Sequence, residues 1–108
     1  MFFIVSRYLT PKGFRGLTLY PFVFVKFLSD LDNPDFVNHE KIHLRQQIEL
    51  FILPFYIWYV VEYLFRLVQY RNGYQAYRNI SFEREAYRNE TNLDYLKYRG
   101  MYRFVKFL

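Results

Sequence analysis

The chain has 108 residues, enough for one domain with one core, and we expect residues 1–108 to form a single domain. Hydrophobic residues make up 53% of it and aromatic residues 24%, a composition that excludes intrinsic disorder. The absence of cysteine excludes disulfide bonds, thiolate metal sites and a cysteine nucleophile. The net charge of +5 comes from residues 64–108, where nine Lys and Arg oppose four Asp and Glu.

The first third of the chain has the apolar runs and turn residues of a short β-hairpin. Residues 2–6 predict one strand, residues 10–16 predict a turn, and Leu17 to Phe27 predicts the second strand. Pro21 cannot donate a ladder hydrogen bond, so we expect an edge strand or a bulge at that position.

Three helices are predicted in the rest of the chain. Asn33 can cap the first and Pro34 suits its first turn, while Pro54 stops or kinks it. Ser81 can cap the third helix, and Gly100 can close it. The predicted helices cover residues 34–53, 55–70 and 82–99. Together these elements predict a compact α+β domain in which a short β-hairpin packs on three helices.

Both histidines of the chain lie in the first predicted helix, in His39-Glu40-Lys41-Ile42-His43, an H-E-x-x-H motif. A spacing of four residues places both imidazoles on one helix face, where they can bind Zn²⁺. Glu40 lies about 100° around the helix from His39, beside the metal, where its carboxylate can take a proton from an activated water. The motif therefore predicts Zn²⁺ as the cofactor and Glu40 as the catalytic base.

A catalytic zinc needs a third protein ligand, and without another His or Cys this ligand must be a carboxylate. The third predicted helix offers Glu83, Glu85, Glu90 and Asp94. Glu83 and Glu85 are about 200° apart in a helix, so only one of the two can face the metal.

The motif, followed some 40 residues later by a helical glutamate, resembles the gluzincins, zinc metallopeptidases with two His and one Glu as ligands. Phe82-Glu83-Arg84-Glu85-Ala86 is similar to the E-x-x-A-D segment of Ste24/HtpX-type peptidases, which implies Glu83 as the third ligand. Tyr87 stands where that family has Asp. A thermolysin-like alignment implies Glu85 instead, and of the two we prefer Glu83, with Glu85 as the alternative. In length the chain resembles the minigluzincins, which implies a minimal zincin-like fold.

The resemblance also implies surroundings for the site. In zincins an edge strand lines the cleft and pairs with the substrate, which implies this role for Leu17–Phe27, with an interruption at Pro21. Some minigluzincins are held inactive by their C-terminal segment, which implies a latent alternative. In that alternative an apolar tail covers the cleft: Phe104, Val105, Phe107 and Leu108.

Two further expectations come from the residues themselves. Gln46 and Gln47 follow the second histidine, and we expect them on the solvated helix surface, with support of the metal ligands as the alternative. One of the twelve tyrosines can stabilise an oxyanion, although the sequence does not indicate which one.

Leu50 to Val61 is an unbroken apolar run, and only Glu62 and Arg66 add charge before residue 69. The run is too short to span a bilayer, and a span through residues 50–68 would separate His43 from Glu83 by about 30 Å of hydrocarbon. Three alternatives stay open: a buried core helix, a membrane-associated helix broken at Pro54, and a true span.

The leading prediction is a zinc-dependent hydrolase, a small metallopeptidase with a peptide or protein substrate. The alternative is a non-catalytic, basic, aromatic-rich protein at the inner membrane surface. Nucleic acid is not favoured, because the first half carries six acidic residues and no binding motif is present. We expect a cytoplasmic location, with inner-membrane association as the alternative, because the N-terminus lacks the features of a signal peptide.

Overall fold

A three-stranded sheet and five α-helices make up residues 2–6 and 16–108, the part of the chain that the computed structural model describes. The strands are β1 (Phe2–Val5), β2 (Gly16–Leu19) and β3 (Phe22–Val25). The α-helices are α1 (Pro34–Glu49), α2 (Leu53–Tyr70), α3 (Gly73–Arg78), α4 (Ser81–Asn89) and α5 (Tyr95–Tyr98). Two 3₁₀ segments cover Leu28–Asp32 and Arg103–Phe107. The α+β class predicted from the sequence is confirmed.

The sheet has the strand order β1-β3-β2, with the strongly apolar β3 in the centre. β3 pairs antiparallel with β2 and parallel with β1, so that Phe24 lies opposite Leu17 on one side and opposite Ile4 on the other. Val23 and Val25 are fully buried against α1, where they contact Phe36. The sheet thereby fixes one face of α1.

The predicted hairpin is wrong in its strand pairing. The segment expected as one strand, Leu17–Phe27, forms two strands joined by a turn at Tyr20–Pro21, because Pro21 has no N–H for a ladder hydrogen bond. The antiparallel hairpin is therefore β2–β3, and β1 is a parallel partner. The turn predicted at residues 10–16 lies outside the described residues, except for Gly16.

The first two predicted helices are confirmed with shifted ends. The Asn33 side chain caps α1 by accepting hydrogen bonds from the backbone N–H groups of Asp35 and Phe36, at 3.1 and 3.2 Å. α1 ends at Glu49, five residues before Pro54. Pro54 lies in the first turn of α2, where its missing N–H costs no helical hydrogen bond.

The third predicted helix, residues 82–99, is wrong, because the chain leaves the helix after Asn89. The Asn38 side-chain amide lies 2.9 Å from the carbonyl oxygens of Glu90 and Asn92, and it donates to both. It thus satisfies carbonyl groups that a continuing helix would use, and the separate helix α5 follows. α3 was not predicted. It begins where the Asn72 side chain accepts from a backbone N–H.

Polar and aromatic contacts attach α2 to the start of α4. Phe82 is fully buried, and its ring centroid lies 4.4 Å from that of Phe55 and 4.6 Å from that of Phe104. The buried Glu62 carboxylate accepts hydrogen bonds from the backbone N–H of Ser81 at 2.5 Å and from its hydroxyl at 2.6 Å. This carboxylate at a helix N-terminus is stabilised by the helix dipole and fixes where α4 begins.

α2 is not the buried core helix that the apolar run predicted as one alternative. Its buried residues are Phe55, Glu62 and Arg66, and most of its aliphatic side chains are exposed. Among the described helices, none is long and apolar enough to cross a membrane by itself. α1 and α2 together meet that length and composition, but they are bent by 112°.

The buried Glu62 carboxylate generates a stability prediction. We expect Glu62→Ala to lower the free energy of unfolding by about 3 kcal/mol, because Ser81 and Arg66 would lose their buried acceptor. Asp94→Ala removes an exposed carboxylate and should cost about 0.5 kcal/mol or less. Urea unfolding followed by circular dichroism measures both, and equal losses would contradict the assigned role of Glu62.

Candidate metal centre

His39 and His43 from α1 and Glu83 from α4 converge on one buried point. The two imidazole Nε2 atoms are 3.1 Å apart, and Glu83 Oε1 lies 3.2 Å from that of His39 and 3.0 Å from that of His43. Ligand atoms of a tetrahedral ion with bonds of about 2.0 Å are about 3.3 Å apart. The triangle therefore has nearly the size that one such ion requires, and the group can hold a metal ion.

Gln46 orients the His43 ring. The Gln46 side-chain nitrogen donates to the Phe82 carbonyl at 3.1 Å and to Glu85 Oε1 at 2.9 Å. These two bonds leave Gln46 Oε1, 2.8 Å from His43 Nδ1, as the acceptor. Nδ1 of His43 therefore carries a hydrogen, and its Nε2 is the ring nitrogen directed towards Glu83. A hydrogen bond from one ring nitrogen to a neighbouring acceptor, here called an outer contact, leaves the other ring nitrogen to bind a metal ion.

The other two residues of the cluster, His39 and Glu83, also have polar neighbours outside the triangle. The Tyr59 hydroxyl donates to Glu83 Oε2 at 2.8 Å, which leaves Oε1 towards the histidines. Glu90 Oε2 lies 3.6 Å from His39 Nδ1, on the side of the ring opposite the cluster. Each of the three residues thus has one polar atom in the triangle and another beside a neighbouring polar group.

The electrostatics of the cluster favour a positive charge between its atoms. Burial by itself lowers the pKa of His43, but the adjacent Glu83 carboxylate outweighs burial and raises it to about 9. Burial by itself raises the pKa of Glu83, but His43 and His39 hold it well below the usual range of a carboxyl group. Both shifts come from the same close contact between imidazole and carboxylate.

Glu85, the alternative third ligand, points away from the histidines. Its Oε2 accepts hydrogen bonds from Arg99 Nε at 2.5 Å and from the Tyr95 hydroxyl at 2.6 Å. Arg99 also pairs with Glu49, at 2.7 Å. Glu85 therefore holds Gln46 in place, and the structure brings Glu83 to the histidines. The remaining candidate, Asp94, has an exposed side chain paired with a lysine.

Glu40 lies with His39 in the wall of a cleft of about 810 Å³. The Thr18 hydroxyl donates to Glu40 Oε2, so β2 holds this oxygen. A methyl group on Gly16 would lie 3.2 Å from Glu40 Oε1 and 2.9 Å from the Phe36 ring. Gly16 thus provides the space that the Glu40 carboxylate occupies. Five tyrosines also line the cleft: Tyr59, Tyr63, Tyr74, Tyr77 and Tyr87.

Two of these tyrosines form a pair beside the histidines. The Tyr77 and Tyr87 hydroxyls are 2.7 Å apart, and the Tyr87 ring centroid lies 4.4 Å from that of His39. Burial and the Glu83 charge hold the pKa of Tyr77 above its usual range, so its hydroxyl remains protonated. The sequence could not select these tyrosines, because they lie at least 34 residues beyond the motif, on other helices.

The prediction that Gln46 and Gln47 are solvated is wrong, since both are buried. Gln47 accepts from the Tyr20 backbone N–H at 2.7 Å and donates to the Thr18 carbonyl at 2.7 Å. It therefore occupies part of the outer edge of β2. The spacing of three residues between His43 and Gln46 is the signal that could have identified the outer contact, because such residues share a helix face.

The apolar tail does not cover the cleft. Phe104 is buried against Phe82 and Trp58, on α4 and α2. The described residues that line the cleft come from positions 16 to 91, so the tail predicted as its cover packs elsewhere.

Comparisons of the chain with known protein families, curated proteins and solved structures found no match. The gluzincin resemblance therefore rests on the motif at residues 39–43 and on Glu83.

Adjacent buried glutamines provide a matched test of the outer contacts. We expect Gln46→Met to weaken metal binding about tenfold, because His43 loses the acceptor that fixes its ring. Gln47→Met removes an equally buried amide that contacts β2 instead, so its metal affinity should stay within about twofold. Competition with a chelator measures both dissociation constants. Equal affinities in the two variants would contradict the role given to Gln46.

Proposed function

We propose that this chain is a zinc-dependent hydrolase, in which His39, His43 and Glu83 bind the ion and Glu40 is the general base. The supporting observation is the triangle of three ligand atoms, 3.0–3.2 Å on each side, next to a cleft that contains Glu40. Structural zinc sites commonly have four protein ligands, whereas catalytic sites have three and keep one position open. Three ligands beside an accessible cleft support the catalytic alternative.

The donor set favours zinc among the common divalent ions. Two imidazole nitrogens and one carboxylate oxygen match known catalytic zinc sites, whereas Ca²⁺ and Mg²⁺ prefer oxygen ligands. The short distances between the ligand atoms suit a four-coordinate ion. When bound, Zn²⁺ acts as a Lewis acid that lowers the pKa of a water molecule to about 7.

Residues of the cleft supply the proton transfers. Glu40 accepts a proton from the attacking water as that water adds to the scissile carbonyl, and it returns the proton to the leaving amine. Thr18 keeps the Glu40 carboxylate in position through Oε2. Tyr77 and Tyr87 present hydroxyl donors beside His39, where a negative carbonyl oxygen can be stabilised.

The substrate that fits best is a short peptide segment. The cleft volume lies within the usual range for ligand sites, and its tyrosine walls suit apolar or aromatic side chains. Gln47 already bonds the β2 backbone at Thr18 and Tyr20. A substrate can therefore pair with β2 near Gly16, but it cannot extend along the whole strand.

Separating metal binding from catalysis tests the proposal. Wild-type protein should contain about one zinc per chain and hydrolyse peptides. Glu40→Gln should retain the zinc and lose hydrolysis by at least about a hundredfold, because the amide cannot accept the proton. His39→Ala should lose the zinc. Asp94→Asn is the control with an exposed carboxylate and should match wild type in zinc content by elemental analysis and in peptide cleavage. Hydrolysis by Glu40→Gln at the wild-type rate would refute the mechanism.

Gly16 gives a second test, which does not alter any charged group. We expect Gly16→Ala to fold and bind zinc but to hydrolyse peptides roughly tenfold to hundredfold more slowly, because the added methyl group crowds both the Phe36 ring and the Glu40 carboxylate and shifts that carboxylate. Gly100→Ala is the matched control, since its methyl group would meet nothing within 4 Å. Steady-state peptide cleavage distinguishes them, and unchanged cleavage by Gly16→Ala would argue against Glu40 as the base.

A further inference from the structure

The polarity of α2 is inverted relative to an ordinary amphipathic helix. Its inward stripe includes the charged residues Glu62 and Arg66, both less than 9% exposed. Its outward side carries large aliphatic and aromatic residues that are 54 to 79% exposed: Leu53, Ile57, Val60, Val61, Leu64, Phe65 and Val68. Soluble helices place such residues inside, so an apolar environment is expected outside this helix.

The outward side of α2 is broad and carries no charge. At 100° per residue, the seven exposed residues cover an arc of about 140°, and they extend along about 23 Å of the helix. Glu62 and Arg66 are its only charged residues, and they pair with each other on the inward side. We call this exposed side the α2 face.

The α2 face continues onto the C-terminal segment, Arg103–Leu108, which is basic. Leu108 lies in a shallow groove with Ile57, Val61 and Phe65 of α2. Three residues earlier in the chain, Val105 is 47% exposed. The same segment exposes the cations of Arg103 and Lys106, and residues 95–108 contain no Asp or Glu. The surface thus combines exposed apolar side chains with nearby positive charge.

We propose that the α2 face and the C-terminal segment bind the surface of an anionic lipid bilayer. Aliphatic side chains on a helix enter the region between headgroups and acyl chains, and flanking Lys and Arg bind anionic headgroups. The helix lies along the surface and does not cross it, because α1 turns away at 112° and brings His43 back beside Glu83.

A second copy of the chain fits this surface less well. Self-association through the α2 face would bring together two C-terminal segments that both carry Arg103 and Lys106, and like charges oppose such contact. An arc of about 140° is also wider than the narrow seam that a pair of helices buries. An anionic bilayer complements both the width and the charge.

Membrane binding through the α2 face also determines where the cleft lies relative to the bilayer. Val60 belongs to the α2 face and lines the cleft together with Tyr63. The cleft opening is therefore next to the headgroups when the α2 face is bound. If the proposed hydrolase activity holds, on which this step rests, the substrate is a peptide segment held at the bilayer surface.

Vesicle flotation tests the inference with Trp58 as an internal reporter. Trp58 is the only tryptophan and is 36% exposed on α2. Wild-type protein should float with vesicles of equal parts phosphatidylcholine and phosphatidylglycerol at low salt, with a blue shift of its tryptophan emission. Binding should weaken with phosphatidylcholine alone and with added salt. Protein that stays at the bottom of the anionic gradient would overturn the proposal.

Matched variants separate the contribution of the apolar α2 face to vesicle binding from that of the basic C-terminal segment. Val61→Asp with Leu64→Asp should lower vesicle partitioning at least about tenfold, whereas Leu93→Asp with Tyr98→Asp alters exposed apolar residues outside both α2 and Arg103–Leu108 and should not. Lys106→Glu should lower it at least about fivefold, and Lys97→Glu should have a smaller effect. Equal partitioning of the variants and their controls would overturn the assignment.

Light scattering after size exclusion tests the competing occupant. If wild-type protein forms a dimer and does not bind vesicles, and if Val61→Asp with Leu64→Asp dissociates that dimer, the α2 face is assigned to a second copy. That result would overturn the proposal. Vesicle binding requires neither zinc nor hydrolysis, so Glu40→Gln should partition like wild type. A failure of the proposed function is thereby distinguishable from a failure of this inference.

Discussion

The contact between the buried Glu83 carboxylate and two imidazoles is the constraint that the surrounding contacts of the structure satisfy. A carboxylate removed from water costs several kcal/mol unless charges and hydrogen bonds replace its hydration. α4, which carries Glu83, is held against α1 and α2 at three places. Glu62 of α2 accepts from its first turn, and Asn38 of α1 donates to the carbonyl groups after its last turn. Arg99 links Glu85 in its middle to Glu49 of α1. These contacts set the position of Glu83 relative to the histidines.

Capping residues and prolines predicted those helix ends that depend on residues nearby in the sequence. Asn33 and Pro34 define the start of α1, and Pro54 defines the start of α2, because capping and proline geometry act within one turn. The third helix was predicted too long because its end depends on Asn38, a residue 51 positions earlier in the chain. The parallel pairing of β1 was likewise missed, since a long connection rather than a tight turn separates it from β3.

The sequence predicted which residues meet at the candidate site better than it predicted the contacts that hold them there. His39 and His43 share a helix face because of their spacing, so their proximity followed from helix geometry. The choice of Glu83 over Glu85 depended on resemblance, and in the structure Glu85 instead pairs with Arg99. Arg99 lies 14 residues after Glu85, beyond any helical periodicity, so no local pattern could reveal this pair.

The buried polar groups and the exposed apolar face have a common origin. A domain of 108 residues has a small interior, and here much of it holds histidine, glutamate, glutamine and arginine side chains. Apolar residues of similar volume would stabilise such an interior at least as well, so stability alone does not explain this arrangement. The interior taken by the site is unavailable to the aliphatic residues of α2, which therefore lie at the surface. On the interpretation developed above, a bilayer provides the apolar environment that the interior does not, and the site and the membrane surface are two consequences of one distribution of residues.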